Sequence, residues 1–253
     1  MNARQQTIME QLHGGREVTV EELARQFHVT PVTIRRDLDA LATDGGVTRT
    51  HGGAVLSRAG VIEFRFLDRA QEQLEPKRAI AAYMATIVKP GMTVVLDTGT
   101  TTLEVARAIG GIPQLRVLTS SLAIASALQA HDNLDLVLLG GSVRHRSPDL
   151  SGPLTEENLR QFRPDLAILG ADGVDCDGAY TSDLAIAGIS RAMIAVAGES
   201  WLVVDSTKFA RRSFVKFAGW DDLDHIVTEK CIGSDDRRWL SKTPAAFHLV
   251  GVQ

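Results

Sequence analysis

Cysteine is almost missing. Cys176 and Cys231 are the only two, without paired spacing, so neither a disulfide framework nor a cysteine zinc site is signalled. Long apolar runs are missing too: stretches such as Leu136–Leu139 fall far short of the roughly 18 residues a membrane span needs. The start, Met1-Asn2-Ala3-Arg4-Gln5-Gln6, leads into a polar amphipathic stretch rather than a secretory signal, so a cytosolic protein is expected. There is no excess of either charge. With 27 Lys+Arg against 31 Asp+Glu the net charge is −4, which gives no global attraction to nucleic acid or an anionic membrane. Residues 1–57 carry six Arg, no Lys and seven acidic residues, so any polyanion has to be met by a local patch. No GxGxxG or GxxxxGK[ST] sequence occurs, which argues against dinucleotide or nucleoside-triphosphate binding. The seven His show no metal-ligand spacing, and neither a metal nor a cofactor is expected.

What is present is an ordinary globular balance, 44% hydrophobic and 23% charged, in 253 residues, which exceeds the usual size of one domain. The organisation changes along the chain. Residues 1–57 read as short helices followed by a glycine turn, residues 58–75 as a connecting segment ended by a helix-breaking Pro76, and 76–253 as a second domain in which strands and helices alternate from about Met92.

In the first segment Ile8, Met9 and Leu12 form an apolar stripe at helical spacing, ended by Gly14-Gly15. Thr19 followed by Glu22 is a capping box that starts a second helix near Val20, with Leu23, Ala24 and Phe27 inward. After a three-residue turn, Thr30 caps and Pro31 opens a third helix. On it Ile34, Leu38 and Leu41 share one face, Arg36 points nearly opposite and Arg35 to the flank. Val47–Val55 has β-rich residues around Gly52-Gly53 and reads as a wing hairpin. A helix, a tight turn and an Arg-bearing second helix are the helix-turn-helix arrangement, whose second helix lies in the DNA major groove. Arg donates two parallel bonds to guanine or clamps a phosphate. The DNA-contact candidates are therefore Thr30, Thr33, Arg35, Arg36, Arg49 and His51.

Leu23-Ala24 through Phe27-His28-Val29, Thr33-Ile34-Arg35-Arg36-Asp37-Leu38 and His51-Gly52-Gly53-Ala54 closely resemble the amino-terminal domain of DeoR-type bacterial transcriptional regulators, and the resemblance extends over nearly the whole chain.

In the second segment the strands Thr93–Leu96, Leu115–Leu118, Leu134–Leu139, Asp165–Leu169 and Trp201–Val204 each run into a polar or glycine loop. Helices are expected at Leu103–Ile109, Leu122–Ala130 and Leu184–Ala197. This alternation predicts an α/β domain with a largely parallel sheet, whose ligands bind beyond the carboxyl ends of the strands. A phosphate needs convergent N–H and O–H donors, and Gly99, Thr100, Thr101 and Thr102, entering a helix N-terminus, supply them. Asp97 suits ligand hydroxyls, a neighbouring Lys or loop amides, and Lys208 supplies a cation for a phosphate, Asp97 or Asp205. The remaining ligand candidates are Thr119, Ser120, Ser121, Gly141, Arg144, Asp172 and Asp205; Ser147–Ser151, near Arg144 and His145, reads as a mobile loop.

The Asp97–Thr102, Thr119–Ser121, Leu139–Gly141, Arg191–Ile194 and Asp205–Phe209 stretches resemble the effector domain of the same regulators. The resemblance implies a fold of the ribose-5-phosphate isomerase and CoA-transferase type that senses a phosphorylated sugar or related catabolic intermediate. By position it implies that Gly99–Thr101 hold phosphate while Asp97, Thr119 and Lys208 line the sugar site. Ser120 stands where Asn is common in the family, and an acidic residue is common near Ile186. The expected function is a ligand-controlled repressor of a carbohydrate-catabolic operon, acting on operator DNA as a homodimer or homotetramer. The alternative is a sugar-phosphate isomerase carrying a DNA-binding domain, for which Asp97, Asp172, Asp205 and Lys208 offer a base and a cation.

Overall fold

A computed structural model describes residues 2–13, 17–43, 46–57, 66, 68–144 and 147–252. The Gly14-Gly15 stop, half of the 58–75 connection and His145 lie outside them. The chain forms two compact units, one reaching Asp68, the other built from Arg69–Arg144 and Pro148–Gln253.

The first unit runs α1 (Ala3–His13), β1 (Val18–Thr19), α2 (Val20–Gln26), α3 (Pro31–Thr43), β2 (Val47–Arg49) and β3 (Gly53–Leu56). The capping box holds: the Glu22 amide donates to the Thr19 hydroxyl at 3.2 Å, and the Thr19 amide donates to the Glu22 carboxylate at 3.3 Å. Phe27 closes α2, so the turn to α3 has four residues rather than three, with His28 at φ 53°. The core gathers Ile8, Leu12, Leu23, Ile34, Leu38 and Leu41. The wing is a three-stranded antiparallel sheet in the order β1-β3-β2, one strand more than the sequence suggests. Gly53 is required where β3 meets β1, since a Cβ there would lie 1.8 Å from the Val18 carbonyl oxygen.

The second unit opens with α4 (Leu74–Ile87), a helix absent from the sequence reading. Pro76 does not break it, because in the first turn a residue needs no amide hydrogen for the helical ladder. Then come β4 (Thr93–Leu96), α5 (Thr100–Ile109), β5 (Leu115–Thr119), α6 (Leu122–Leu128), β6 (Leu134–Leu138), β7 (Ser142–Val143), β8 (Leu150–Ser151), α7 (Pro153–Arg160), β9 (Leu166–Leu169), β10 (Gly173–Asp175), β11 (Gly178–Thr181), α8 (Leu184–Val196), β12 (Glu199–Val203), β13 (Val215–Ala218), β14 (His225–Glu229), α9 (Ser234–Leu240) and β15 (Ala246–Val250).

Seven strands form one sheet in the order β15-β14-β12-β9-β4-β5-β6, every neighbouring pair parallel. Its inner strands β4, β9 and β12 are apolar and buried nearly throughout, as helices or chain on both faces require. Val95, Leu118, Leu169, Leu202 and Ile226 join a core with Leu159 of α7 and Ile189 and Met193 of α8. α4 packs on α5 and on β14 and β15. A small antiparallel sheet, β10-β11-β13, completes the unit. After β4 the chain winds through β5 to β6, then returns to the other side of β4 with β9. The sheet therefore has its switch point between β4 and β9, where a doubly wound sheet leaves a crevice at its carboxyl edge.

Candidate functional site

On α3 the inward residues Ile34 and Leu38 are fully buried, while Arg35 and Arg36 are exposed. Thr30 is exposed, and its hydroxyl accepts the Thr33 amide at 3.3 Å and meets the Thr33 hydroxyl at 2.9 Å. Asp37, between the arginines and the core face, is buried and ties α3 to α1: the Arg4 Nε donates to it at 2.5 Å and the Gln5 side-chain amide at 3.3 Å. Its role is structural, which the sequence pattern did not separate from its arginine neighbours. On the wing His51 is exposed, while Arg49 is partly covered and directs its Nε toward Asp39 of α3 at 3.4 Å. That ion pair joins wing to helix and neutralises an acidic residue on the face that carries Arg35 and Arg36.

The second candidate site lies at the switch point. All five polar loops named from the sequence follow carboxyl ends of parallel strands: 97–99 after β4, 120–121 after β5, 139–141 after β6, 170–172 after β9 and 204–208 after β12. Asp97 is buried; one of its oxygens accepts the Thr98 amide at 2.7 Å and the other the Gly170 amide at 3.4 Å, which bridges β4 to β9. Burial pushes its carboxyl up to about 7, with Asp149 and Asp172 adding to the rise and the two amides opposing it. α5 begins at Thr100, three residues earlier than the pattern of apolar residues suggests, with Gly99 as a cap that offers no side chain and no acidic residue in the first turn. The helix thus presents its positive end. Thr100 is half-buried; Thr101 and Thr102 are buried, and the Thr102 hydroxyl donates back to the Gly99 carbonyl at 3.1 Å.

Thr119 is fully buried: its hydroxyl donates to the Leu96 carbonyl at 3.0 Å and accepts the Ser121 amide at 3.1 Å. Ser121 caps α6 through the Ile124 amide, and Ser120 accepts the Leu150 amide on its carbonyl at 2.8 Å. Gly141, at φ 152°, has no room for a side chain, because a Cβ would come 2.2 Å from the Thr155 hydroxyl. Residues 147–151 are not a mobile loop: Asp149 is fully buried and Leu150–Ser151 form a strand, fixed by Arg144 donating to Asp149 at 3.0 Å. Arg144 also donates to Asp183 at 3.1 Å. Burial raises the Asp183 carboxyl, but Arg144 and the Ala185 and Ile186 amides outweigh it and hold the group below the usual carboxylate range. Asp172 accepts the Ser182 amide and hydroxyl at 2.8 and 2.7 Å.

Asp205 is buried and caps the turn 206–208, while Glu229 of β14 accepts the Ser206 amide at 2.9 Å. Lys208 is half-buried and in no ion pair among the described residues, so its charge is available. The structure thus knits the ends of β4, β5 and β9 together around Asp97 and Asp149, whereas no hydrogen bond joins the 205–208 turn to Asp97 among the described residues. Sequence reasoning missed Asp149, Asp183 and Glu229. A signal existed for Asp183, an aspartate directly before the apolar run Leu184–Ile186; none existed for the other two, whose partners are remote in the chain.

A winged helix-turn-helix on one unit and a parallel sheet with a switch point on the other are the layout of a DNA-binding regulator with a separate sensor unit. The model of the DeoR-like helix-turn-helix domain matches residues 4–59, and that of the DeoR C terminal sensor domain matches residues 72–230. The chain belongs to the DeoR family of transcriptional regulators. It is 36% identical over 213 residues to the glycerol-3-phosphate regulon repressor of Escherichia coli, covering 84% of each chain. It is 34% identical over 228 residues to the transcriptional repressor AccR of Agrobacterium fabrum, covering 89% of this chain and 88% of that one. Among solved structures, ribose 5-phosphate isomerase A from Methanocaldococcus jannaschii overlaps 53% of each chain at 19% identity, with a TM-score of 0.39. The eIF2B delta structure from Chaetomium thermophilum overlaps 66% of this chain and 60% of that one at 14% identity, with a TM-score of 0.46.

Proposed function

We propose that this regulator is a cytoplasmic repressor of a carbohydrate-catabolic operon, released from operator DNA by a phosphorylated sugar or related intermediate, and that it catalyses no reaction. The observation that carries the reading is the meeting, at the β4–β9 switch point, of an uncapped helix N-terminus with a buried carboxylate. The first-turn amides of α5 suit a phosphate, because their hydrogens point outward and the helix dipole favours negative charge. Asp97 suits a hydroxyl of the same ligand. With its carboxyl near 7 it is protonated in a large share of molecules at neutral pH, so it neither repels a phosphate strongly nor lacks an acceptor oxygen. Lys208 supplies the remaining positive charge.

The isomerase alternative is weaker, since the relatives that align over most of the chain carry the names of repressors. On the DNA side, Arg36 reads a base while Arg35 and Arg49 meet phosphates, and a two-fold homodimer or homotetramer doubles the half-site. The test is a thermal-shift screen of phosphorylated sugars, glycerol 3-phosphate among them, on wild type and Lys208→Ala. A ligand at about 100 times its dissociation constant adds roughly 2.7 kcal/mol to wild type, and the variant should lose most of that gain at the same concentration. Equal shifts in both proteins would move the site elsewhere.

A further inference from the structure

Val32 stands on the wrong side of its helix for packing. It is 54% exposed, the only large apolar residue of the first unit so placed among the described residues, and it is not among the side chains packed on that unit's core. A single exposed aliphatic residue is ordinary; the position of this one is not. Residues three and four apart share a helix face. Val32 therefore opens the outward stripe that continues through the exposed Arg35 and Arg36 to Asp39, whose carboxylate lies 3.4 Å from the Arg49 Nε. One aliphatic residue leads a row of charged ones. The fold does not reward it there, since valine is a poorer helix former than alanine and this one packs on no core. It is the second residue of α3, behind Pro31 and beside the Thr30 and Thr33 hydroxyls, whose oxygens are 2.9 Å apart. A reading helix meets base edges with its N-terminal residues. Of the four bases only thymine offers the major groove a methyl group, and an apolar side chain is what gains by covering it.

We propose that Val32 is a specificity-determining residue that reads the 5-methyl group of a thymine in the operator. The inference rests on the reading of α3 as the helix in the major groove. The exposed aliphatic side chain and the methyl group both lose water when they meet, which favours contact. Cytosine in the same place has no methyl and presents an amino donor, for which valine has no acceptor. From Val32 to Arg36 the helix rises about 6 Å, or roughly two base steps along a DNA strand. With the length of the arginine side chain included, the thymine lies within about three base pairs of the pair that Arg36 meets.

The experiment uses the full-length protein and a duplex that it selects from random DNA. Each thymine is replaced in turn by deoxyuridine, which removes the methyl and leaves the base pairing unchanged. Competition binding at fixed salt compares wild type, Val32→Ala and Arg36→Ala, with the melting temperature of each recorded alongside. In wild type, uracil at the position read by Val32 should weaken binding by about 4-fold, the worth of one buried methyl. Val32→Ala should melt with wild type, bind the unmodified duplex more weakly and be indifferent to uracil at that position. Arg36→Ala should keep the uracil effect and lose preference at its own base pair. A uracil penalty of equal size in wild type and Val32→Ala overturns the proposal, because the methyl then acts through DNA shape or another side chain. So does a wild type that no uracil substitution weakens, a comparison that needs no variant to fold. If Arg36→Ala and Val32→Ala both keep the wild-type preference at every base pair, α3 is not the reading helix, and that reading falls together with the inference.

Discussion

Asp97 is a carboxyl group held away from water, and that has a measurable cost. Its folded-state value near 7 exceeds the ordinary 3.8, so the folded protein holds a proton that the unfolded chain releases. The sign follows: there is no penalty below about pH 4, a growing one up to about pH 7, and a full one above, on the order of a few kcal/mol. Asp97→Asn cannot ionise, so its stability should fall less than that of wild type between about pH 5 and pH 8 in urea unfolding. Parallel pH curves for the two proteins would show that Asp97 is hydrated. His248 runs the other way. It receives or gives a bond to Tyr83 at 2.9 Å and faces His225 at 3.1 Å, and burial first, then His225, lowers its value below the ordinary 6.5. Trp201 stacks on His225 with centroids 3.8 Å apart, and Glu199 lies 3.7 Å from the other His225 nitrogen. The fold favours neutral His248, so the stability it confers is present above about pH 6.5 and is lost as the pH drops below that. His248→Gln should flatten the loss of stability as the pH falls below about 6.5; an unchanged acid limb would assign it to other groups. Of these residues only Asp97 was legible in the sequence, because it ends an apolar strand beside a Gly-Thr loop. Tyr83, His225 and His248 come together through strand neighbours and a helix that local patterns leave unmarked.

At the scale of elements, α3 carries most of the proposed DNA contacts. Its legibility comes from strong local chemistry: a Thr-Pro start and a three-residue apolar face, Ile34, Leu38 and Leu41, set within about two helical turns. Arg36→Ala should cost about 1–3 kcal/mol of operator binding and relax the preference at one base pair. Arg35→Ala should weaken all sequences alike and lower the salt slope by about one. Arg49→Ala should change the slope less, since its guanidinium already leans on Asp39. Competition binding at fixed salt decides; an Arg36→Ala protein with wild-type affinity and base preference would place the reading helix elsewhere. α4 is hidden from local pattern because Pro76 reads as a breaker unless its place in the first turn is known. β14 and β15 are not marked in the sequence, because His225-Ile-Val-Thr-Glu and Ala-Phe-His-Leu-Val mix polar with apolar residues. They lie toward one margin of the sheet, where a strand need not be apolar on both faces.

For the whole molecule, a regulator requires that the two units influence each other's binding. A ligand with equal affinity for the DNA-competent and incompetent states shifts nothing, so the sensor crevice must bind its effector unequally in the two. The arrangement in sequence was readable, since helices near the amino terminus and alternating strands afterwards predict a DNA-binding unit followed by an α/β sensor. The most direct measurement is the affinity for a duplex selected by the protein from random DNA, with and without a sugar phosphate that passes the thermal screen, in wild type and in Lys208→Ala. Saturating ligand should weaken wild-type binding by about 5- to 150-fold, and the DNA should weaken ligand binding by the same factor. Lys208→Ala should bind the duplex normally and ignore that ligand concentration. A wild-type affinity that is the same with and without bound ligand would contradict the assignment of this chain as a ligand-released repressor.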